Sequence, residues 1–443
     1  MKRRMLLTGA VALALTRPSL PAMAAGPTQI LFWHSMNGAL GDVLSRLVDR
    51  FNQGQSAVVV NAVFKGGYAE ALTAAIAAWR AGQAPHICQG FDVGTATMMA
   101  AGPAVKYASD LFKETGVPLD PARYIAAVRG YYALADGRMG SMPFNSSTAV
   151  MWYNQDTFEK AGLDPEKPPA TWPELVVAAK TLKEKNVTKY AVTTSWPTWV
   201  HFEQFSATHN VPYATDADGF KGLGARLLVD SAPFVENLQT LLDMSKDGTF
   251  KYAGRDNIPD PVFYSGQAAI AFNSSAARGA LVKTAKFRFA NAFLPYHPNI
   301  VEKPINSIIG GASLWTMTAP HRTNAEYKAV AQFLAFLGGP AQDAEWAAGT
   351  GYVPVTFAGS DLLEKEGYYA KHPGTKLPVL QLERQSVTDN SKGIRLGDMP
   401  EIRVIIEEEW EKELGGTFDA KGALKRAVDR SNKVLADFQR SAG

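Results

Sequence analysis

The chain has 443 residues, of which 46% are hydrophobic and 20% are charged. This length exceeds the roughly 250–300 residues at which one hydrophobic core stops growing, so two domains or lobes are expected, and the composition excludes a disordered or membrane-embedded protein. The formal charge of +3 would suit an acidic partner such as nucleic acid, whereas the single cysteine excludes a disulfide framework and a cysteine-based metal cluster within the chain.

The first 24 residues have the pattern of a bacterial export signal. A basic start at 2–4 precedes an apolar run at 5–15, and small residues at 22–24 offer a cleavage site. The apolar run is shorter than the ~20 residues that a membrane-spanning helix needs. We therefore expect a mature chain that starts at Ala25 and is soluble in the periplasm. Both Sec and twin-arginine export stay open.

Removal of this segment would change the charge balance. The segment carries four basic residues and no acidic ones, which leaves 41 basic and 42 acidic residues. The mature chain would then have a net charge of −1, so nucleic-acid binding loses its only global support. We expect no nucleic-acid partner.

The first part of the mature chain alternates between strand and helix patterns. Short apolar runs predict strands at 29–33, 58–60 and 87–88. Between them, apolar residues spaced i, i+3, i+4 and i+7 from Leu44 predict a helix, and an alanine-rich helix is predicted at 69–81. Such alternation indicates an α/β fold in which most strands are parallel.

The rest of the chain adds mainly helices. A capping box from Thr171 to Glu174 predicts a helix that runs to about Lys185. Apolar stripes predict further helices at 234–242, 327–337, 402–410 and 424–438. No linker rich in Pro, Gly or Ser separates two halves, so we expect two lobes that are joined by several short crossings.

Signatures of catalysis are largely missing. The sequence has no G-x-S-x-G elbow, no H-E-x-x-H zinc helix and no G-x-x-x-x-G-K-[ST] phosphate loop. Two pairs of reactive residues, His86 with Cys88 and His201 with Glu203, have no evident third partner, and we interpret both as packing. The acidic run at 407–409 is interpreted as a solvated helix face. We expect no enzyme activity, no cofactor and no metal site.

Several stretches of the mature chain carry motifs of a known family. The sequence YNQDTFEKAGLDP at 153–165, followed by TWPEL at 171–175, is similar to a pattern of the extracellular solute-binding proteins that serve ABC importers. Six further segments resemble the branch of that family that binds glycerol phosphates. They lie at 32–36, 93–99, 143–148, 308–315, 350–354 and 393–400.

The resemblance implies the two-lobed periplasmic-binding-protein fold of type II. Each lobe would be a mainly parallel sheet flanked by helices, with a multi-crossing hinge and the ligand between the lobes. Lobe 1 is expected at 25–142 with about 306–356, and lobe 2 at 143–305 with about 357–443.

The implied function is capture of sn-glycerol-3-phosphate, and of glycerophosphodiesters such as glycerophosphocholine, by lobe closure. A monomer would deliver the ligand to permease subunits in the inner membrane, which are driven by a cytoplasmic ATPase. Two alternatives stay open: a neutral oligosaccharide-binding protein of an ABC importer, and a secreted glycerophosphodiesterase-like hydrolase.

The resemblance also implies a set of ligand-contacting positions. They are Tyr68, Asp92, Ser147, Trp196, Ser274, Gly311, Tyr352 and Arg395. A guanidinium, hydroxyls and a glycine N–H are donors that suit a phosphate, while a carboxylate can accept from a diol and an indole can cover the carbon skeleton. Asp92 stands where the family has glutamate, so its reach is one methylene shorter.

Each of these positions has a structural alternative. Arg395 has Asp398 and Glu401 nearby in the sequence as ion-pair partners, and Asp92 stands where a helix could be capped. Core packing would account for the aromatic residues, a cap for Ser147, and a tight bend for Gly311.

Overall fold

The computed structural model describes residues 26–417 and 419–442, so the export signal expected at 1–24 lies outside the described residues. Eleven strands occur in these ranges. They are β1 Thr28–His34, β2 Val58–Phe64, β3 Ile87–Phe91, β4 Val105–Lys106, β5 Met142–Ser147, β6 Ala149–Asn154, β7 Tyr190–Thr194, β8 Phe250–Lys251, β9 Ala268–Ser274, β10 Phe289–Ala292 and β11 Gly310–Met317.

Nineteen α-helices surround these strands within the described ranges. They are α1 Gly38–Gln53, α2 Tyr68–Arg80, α3 Thr95–Ala100, α4 Ala108–Thr115, α5 Ala126–Tyr132, α6 Gln155–Ala161, α7 Trp172–Glu184, α8 Phe205–His209, α9 Thr215–Asp218, α10 Ala232–Lys246, α11 Asp260–Tyr264, α12 Arg278–Thr284, α13 Asn324–Leu337, α14 Pro340–Thr350, α15 Phe357–Lys365, α16 Tyr368–Lys371, α17 Leu377–Leu382, α18 Met399–Leu414 and α19 Ala420–Ala442. Every strand and helix predicted from sequence periodicity is present. None of the helices is both long and apolar enough to cross a membrane.

The strands form two separate sheets. The first has the order β2-β1-β3-β11-β4, with β5 also paired to β11, and the second has the order β10-β6-β9-β7-β8. The strands β1, β2 and β3 are parallel, as are β7, β8 and β9, but β11 and β6 run antiparallel to their neighbours. Both sheets are therefore mixed rather than mainly parallel, because β11 in the first sheet and β6 in the second run opposite to the parallel strands.

The chain passes between the sheets at Thr148, since β5 ends at Ser147 and β6 begins at Ala149. The Thr148 hydroxyl lies 2.7 Å from the hydroxyl of Ser307, on the way back to β11, and accepts from the Gln381 amide at 3.3 Å. Three segments of the chain thus meet in one buried polar cluster, as in a hinge of several crossings. The lobe boundaries stay a prediction.

The acidic run at 407–409 shows where the sequence interpretation was wrong. Glu407 and Glu409 are only 5% and 1% exposed, because α19 covers Glu409 while Glu407 faces Thr198 and Arg255 on another side of α18. Arg426 and Arg430 of α19 donate to Glu409 at 2.7 Å, which compensates its buried charge. Only Glu408 keeps the partly exposed position expected of the run.

Candidate ligand-binding site

Three of the predicted site residues lie at the edge of the first sheet where strands β3 and β5 end. Because β11 is antiparallel to β3 and β5, its first residues lie beside the last residues of both strands. Asp92 follows β3 directly, Ser147 ends β5 and pairs with Gly310, and Gly311 is the next residue of β11. The fold thus brings together residues from three distant parts of the sequence.

Glycine is required at position 311. Its φ of +103° lies in a region that disfavours other residues, and a Cβ there would be 2.0 Å from the Asn145 carbonyl oxygen. The backbone can therefore approach close to whatever occupies this edge of the sheet.

Two tyrosine hydroxyls lie side by side next to this edge. The hydroxyl oxygens of Tyr68 and Tyr352 are 3.3 Å apart, and Asn145 Nδ2 donates to the Tyr68 hydroxyl at 2.9 Å. The Tyr68 ring stacks on Phe91 and the Tyr352 ring stacks on Trp346. Burial raises the pKa of both tyrosines, so both stay protonated and able to donate.

Ser274 lies at the end of β9 in the second sheet, close to the point where the chain passes from the first sheet to the second. It pairs with Ala149 at the start of β6, and its Oγ accepts from the Ala276 N–H at 3.1 Å, which caps a short 3-10 turn. This bond uses only the acceptor capacity of the hydroxyl, and its hydrogen has no acceptor among the described residues.

Trp196 is held in an unusual backbone conformation. Its φ is +52°, and its N–H donates to the Asp256 carbonyl at 2.7 Å. Such a conformation is uncommon for a bulky residue and is found preferentially at functional sites. A buried π-helical turn, Trp199–Gln204, follows directly, and such turns are also frequent at functional sites. Trp196 itself is partly exposed and packs against a hydrophobic cluster that contains residues of both sheets.

Among the described residues, no carboxylate offsets the positive charge of Arg395. Its guanidinium lies 4.0 Å above the Phe220 ring, and its Nη2 donates to the Tyr131 carbonyl at 2.5 Å. Its Nε is buried without a hydrogen-bond partner, and neither Asp398 nor Glu401 pairs with it in the described chain. Burial lowers the pKa of Arg395 to about 10. An uncompensated cation with an unused donor is suited to receive an anion.

Asp92 is 5% exposed, and burial raises its pKa to about 7, although the positive charge of Arg403 opposes this rise. Burial is the main cause of the raised pKa of Tyr68, Tyr131 and Tyr352, and the charge of Asp92 adds to it. Asp92 is therefore electrostatically connected both to the tyrosine pair and, through Tyr131, to the neighbourhood of Arg395.

The sequence did not reveal three polar residues beside this site. Asn145 lay within a recognised motif but was not singled out. Glu203 had no evident partner, because its partner Arg403 is 200 positions away. Arg403 adjoins the apolar stripe of α18 and is only 8% exposed, and a charged residue next to a buried stripe was the one available signal.

Comparison with known proteins defines the class. Residues 37–344 match the bacterial extracellular solute-binding protein family, and the chain belongs to that family. The chain is thus a solute-binding protein of an ABC importer, which confirms the expectation of a binding protein and contradicts the hydrolase alternative.

Two relatives are similar to this chain over nearly its full length. The sn-glycerol-3-phosphate-binding periplasmic protein UgpB of Brucella abortus (strain 2308) is 40% identical over 433 residues, which cover 98% of both chains. The protein of the same name from Pectobacterium atrosepticum is 41% identical over 441 residues, 99% of this chain and 98% of that one.

Solved structures confirm the two-lobed fold. UgpB from Mycobacterium tuberculosis in complex with glycerophosphocholine has a TM-score of 0.78 at 21% identity and covers 94% of this chain and 100% of its own. The cyclic α-maltosyl-1,6-maltose binding protein from Arthrobacter globiformis has a TM-score of 0.72 at 24% identity and covers 93% and 100%.

Proposed function

We propose that the protein captures sn-glycerol-3-phosphate, and also glycerophosphodiesters such as glycerophosphocholine, by closure of its lobes. It acts as a soluble monomer in the periplasm after loss of residues 1–24, and it delivers the ligand to permease subunits driven by a cytoplasmic ATPase. The names of the full-length relatives support this ligand class. The observation that carries the proposal is the uncompensated, partly buried guanidinium of Arg395.

The candidate residues form two groups, one suited to the phosphate end of such a ligand and one suited to its diol end. The phosphate meets donors: the Arg395 guanidinium, the Gly311 N–H and the hydroxyls of Ser147, Ser274 and Tyr352. The diol meets acceptors, chiefly the Asp92 carboxylate, with Tyr68 beside it. Trp196 covers the carbon skeleton. Placing donors and acceptors at opposite ends gives the ligand one preferred orientation.

The test is titration calorimetry of the chain from Ala25 with glycerol-3-phosphate, glycerophosphocholine and maltose. We expect binding of both phosphate esters and none of maltose. Maltose binding without binding of either ester would overturn the proposal in favour of an oligosaccharide-binding protein.

The same assay tests the phosphate anchor. Arg395→Ala should cost ~2–5 kcal/mol of binding free energy, as expected when the partner of a desolvated charge is removed. Arg288→Ala is the matched control, because Arg288 is exposed and pairs with Asp156 and Glu159. Equal affinities for Arg395→Ala and the unsubstituted protein would remove Arg395 from the site.

A further inference from the structure

A buried ion pair joins the neighbourhoods of the two sheets. Asp92 follows the last residue of β3 in the first sheet, whereas Arg403 belongs to α18, which packs against α10 and α19 beside the second sheet. Arg403 Nη2 lies 3.4 Å from Asp92 Oδ2, and the two residues are 8% and 5% exposed. The proposed acceptor of the diol therefore already has a cationic partner within the protein.

Glu203 fixes the direction of the Arg403 guanidinium. Arg403 Nε donates to Glu203 Oε1 at 2.6 Å, and Nη2 donates to Oε2 at 2.7 Å. This two-point contact orients a planar guanidinium far better than a single bond does. Glu203 is itself 1% exposed and lies in the π-helical turn that follows Trp196. The pair is thus part of the buried framework of the site.

Arg403 favours the charged form of Asp92, because the other charged groups around Asp92 are carboxyls. Burial raises the pKa of Asp92, and the charge of Glu203 adds to this rise. Burial also raises the pKa of two nearby carboxyls, Asp256 and Glu407, and the charge of Arg403 opposes the rise at all three. Arg255 is directed to Glu411 and Glu407 rather than to Asp92. Without Arg403, Asp92 would be a buried carboxyl among carboxyls, a setting that favours its neutral form.

We propose that Arg403, held by Glu203, is a positioning residue that makes Asp92 a selective acceptor for the vicinal hydroxyls of the ligand. Arg403 faces Oδ2 of Asp92, and the N–H groups of Asp92 and Val93 also face this carboxylate, so the lone pairs that these donors leave accept from the diol. Its charge also offsets the repulsion between Asp92 and a phosphate bound in the same cleft. This inference rests on the proposed function, since it assumes a ligand that carries both a phosphate and a diol.

A purely structural ion pair makes a different prediction. If Arg403 only held the lobes together, its loss would weaken every ligand by the same factor. If it acts through Asp92, its loss weakens a ligand with a diol more than one without. The ratio of two affinities therefore separates the roles, even when stability also changes.

The experiment measures the affinity of the chain from Ala25 for glycerol-3-phosphate and for n-propyl phosphate, which lacks both hydroxyls. We expect Arg403→Gln to reduce the preference for glycerol-3-phosphate roughly tenfold, the scale of one hydrogen bond to a charged group. In an Asp92→Asn background the same substitution should cause no further loss of preference. Arg430→Gln is the control, because Arg430 also pairs with carboxylates of α18, namely Glu408 and Glu409, but these belong to the contact between α18 and α19 rather than to the group around Asp92.

Other outcomes have distinct meanings. An unchanged preference in Arg403→Gln, or an equal further loss in the Asp92→Asn background, overturns the positioning role and leaves the proposed function intact. If Arg403→Gln does not fold, Glu203→Gln decides, since it weakens the two-point contact and should also reduce the preference. Failure of the unsubstituted protein to bind either phosphate would overturn the proposed function, and this inference with it.

Discussion

At the scale of single residues, the candidate site contains three features that cost folding stability. Trp196 has a positive φ, Gly311 leaves no room for a side chain, and Arg395 is a cation without a counter-charge. Such features persist where the surrounding structure over-determines them, and they cluster at functional sites. Their occurrence at three positions chosen from motifs alone supports the proposed site.

Gly311 permits a direct test at this scale. Gly311→Ala should lower the free energy of unfolding by more than about 1–2 kcal/mol, because both its φ and the Asn145 carbonyl oxygen exclude a Cβ. Chemical denaturation measures the change. The control is Gly130→Ala in α5, where a Cβ would meet nothing within 4 Å, and there we expect no loss of stability. Equal stability of the two variants would contradict the close approach.

At the scale of elements, the start of α7 shows local sequence acting as predicted. Thr171 Oγ1 accepts from the Glu174 N–H at 3.3 Å, and the Glu174 carboxylate accepts from the Thr171 N–H at 3.1 Å. The helix ends at Glu184, one residue before the predicted end. A capping box depends only on residues three apart, so it can be recognised without knowledge of the fold.

This box leads to a second stability prediction. Thr171→Ala should destabilise the protein by about 1 kcal/mol, because it removes the acceptor for an N–H in the first turn. Thr181→Ala in the same helix is the control, since the Thr181 hydroxyl only returns a bond to the Val177 carbonyl and alanine favours helix. Both changes are read from urea denaturation midpoints, and a Thr181→Ala loss as large as that of Thr171→Ala would contradict the capping role.

At the scale of the whole molecule, buried histidines and buried carboxyls have opposite effects on how stability changes with pH. Burial lowers the pKa of His201 and His209 to about 3, and that of His297 to about 4. It raises the pKa of Asp92, Asp218 and Glu407 to about 7. As the pH falls from 7 to 5, the unfolded state takes up protons at the three histidines, which lowers stability, whereas the folded state takes up protons at the three carboxyls, which raises stability. Only a difference between variants therefore isolates one group.

His201→Phe provides that difference. The unfolded histidine binds a proton below pH 6.5 while the folded one stays neutral to about pH 3, so His201 withdraws about 2 kcal/mol of stability at pH 5 and almost none above pH 7. A phenylalanine suits the aromatic surroundings of Phe272 and Trp410. Between pH 7.5 and 5, the variant should therefore lose less stability than the unsubstituted protein in denaturant titrations. Parallel pH profiles would contradict this.

Predictions from the sequence succeeded for local elements and failed for strand direction and for the burial of charged residues. Sequence patterns predicted seven of the helices and the first three strands, because burial of one face leaves a repeat of 3.6 or 2 in the sequence. The remaining helices and strands of the described residues were not predicted. Nor did these patterns predict the antiparallel direction of β11, which depends on where the chain re-enters the first sheet. They also placed Glu407 and Glu409 in solvent, because a helix face shows its charge but not the helix that covers it.

The amino-acid sequence by itself determined the longer amphipathic helices, the first three strands, the class of protein and the choice of candidate residues, since these depend on local patterns and on motifs that can be read in order along the chain. Only the tertiary structure decided that Arg395 has no counter-charge within the part of the chain that it describes, that Tyr68 meets Tyr352, and that Arg403 joins Glu203 to Asp92. The physical reason is that charge compensation acts through space. Arg403 and Asp92 are 311 positions apart, and no local pattern records such a distance.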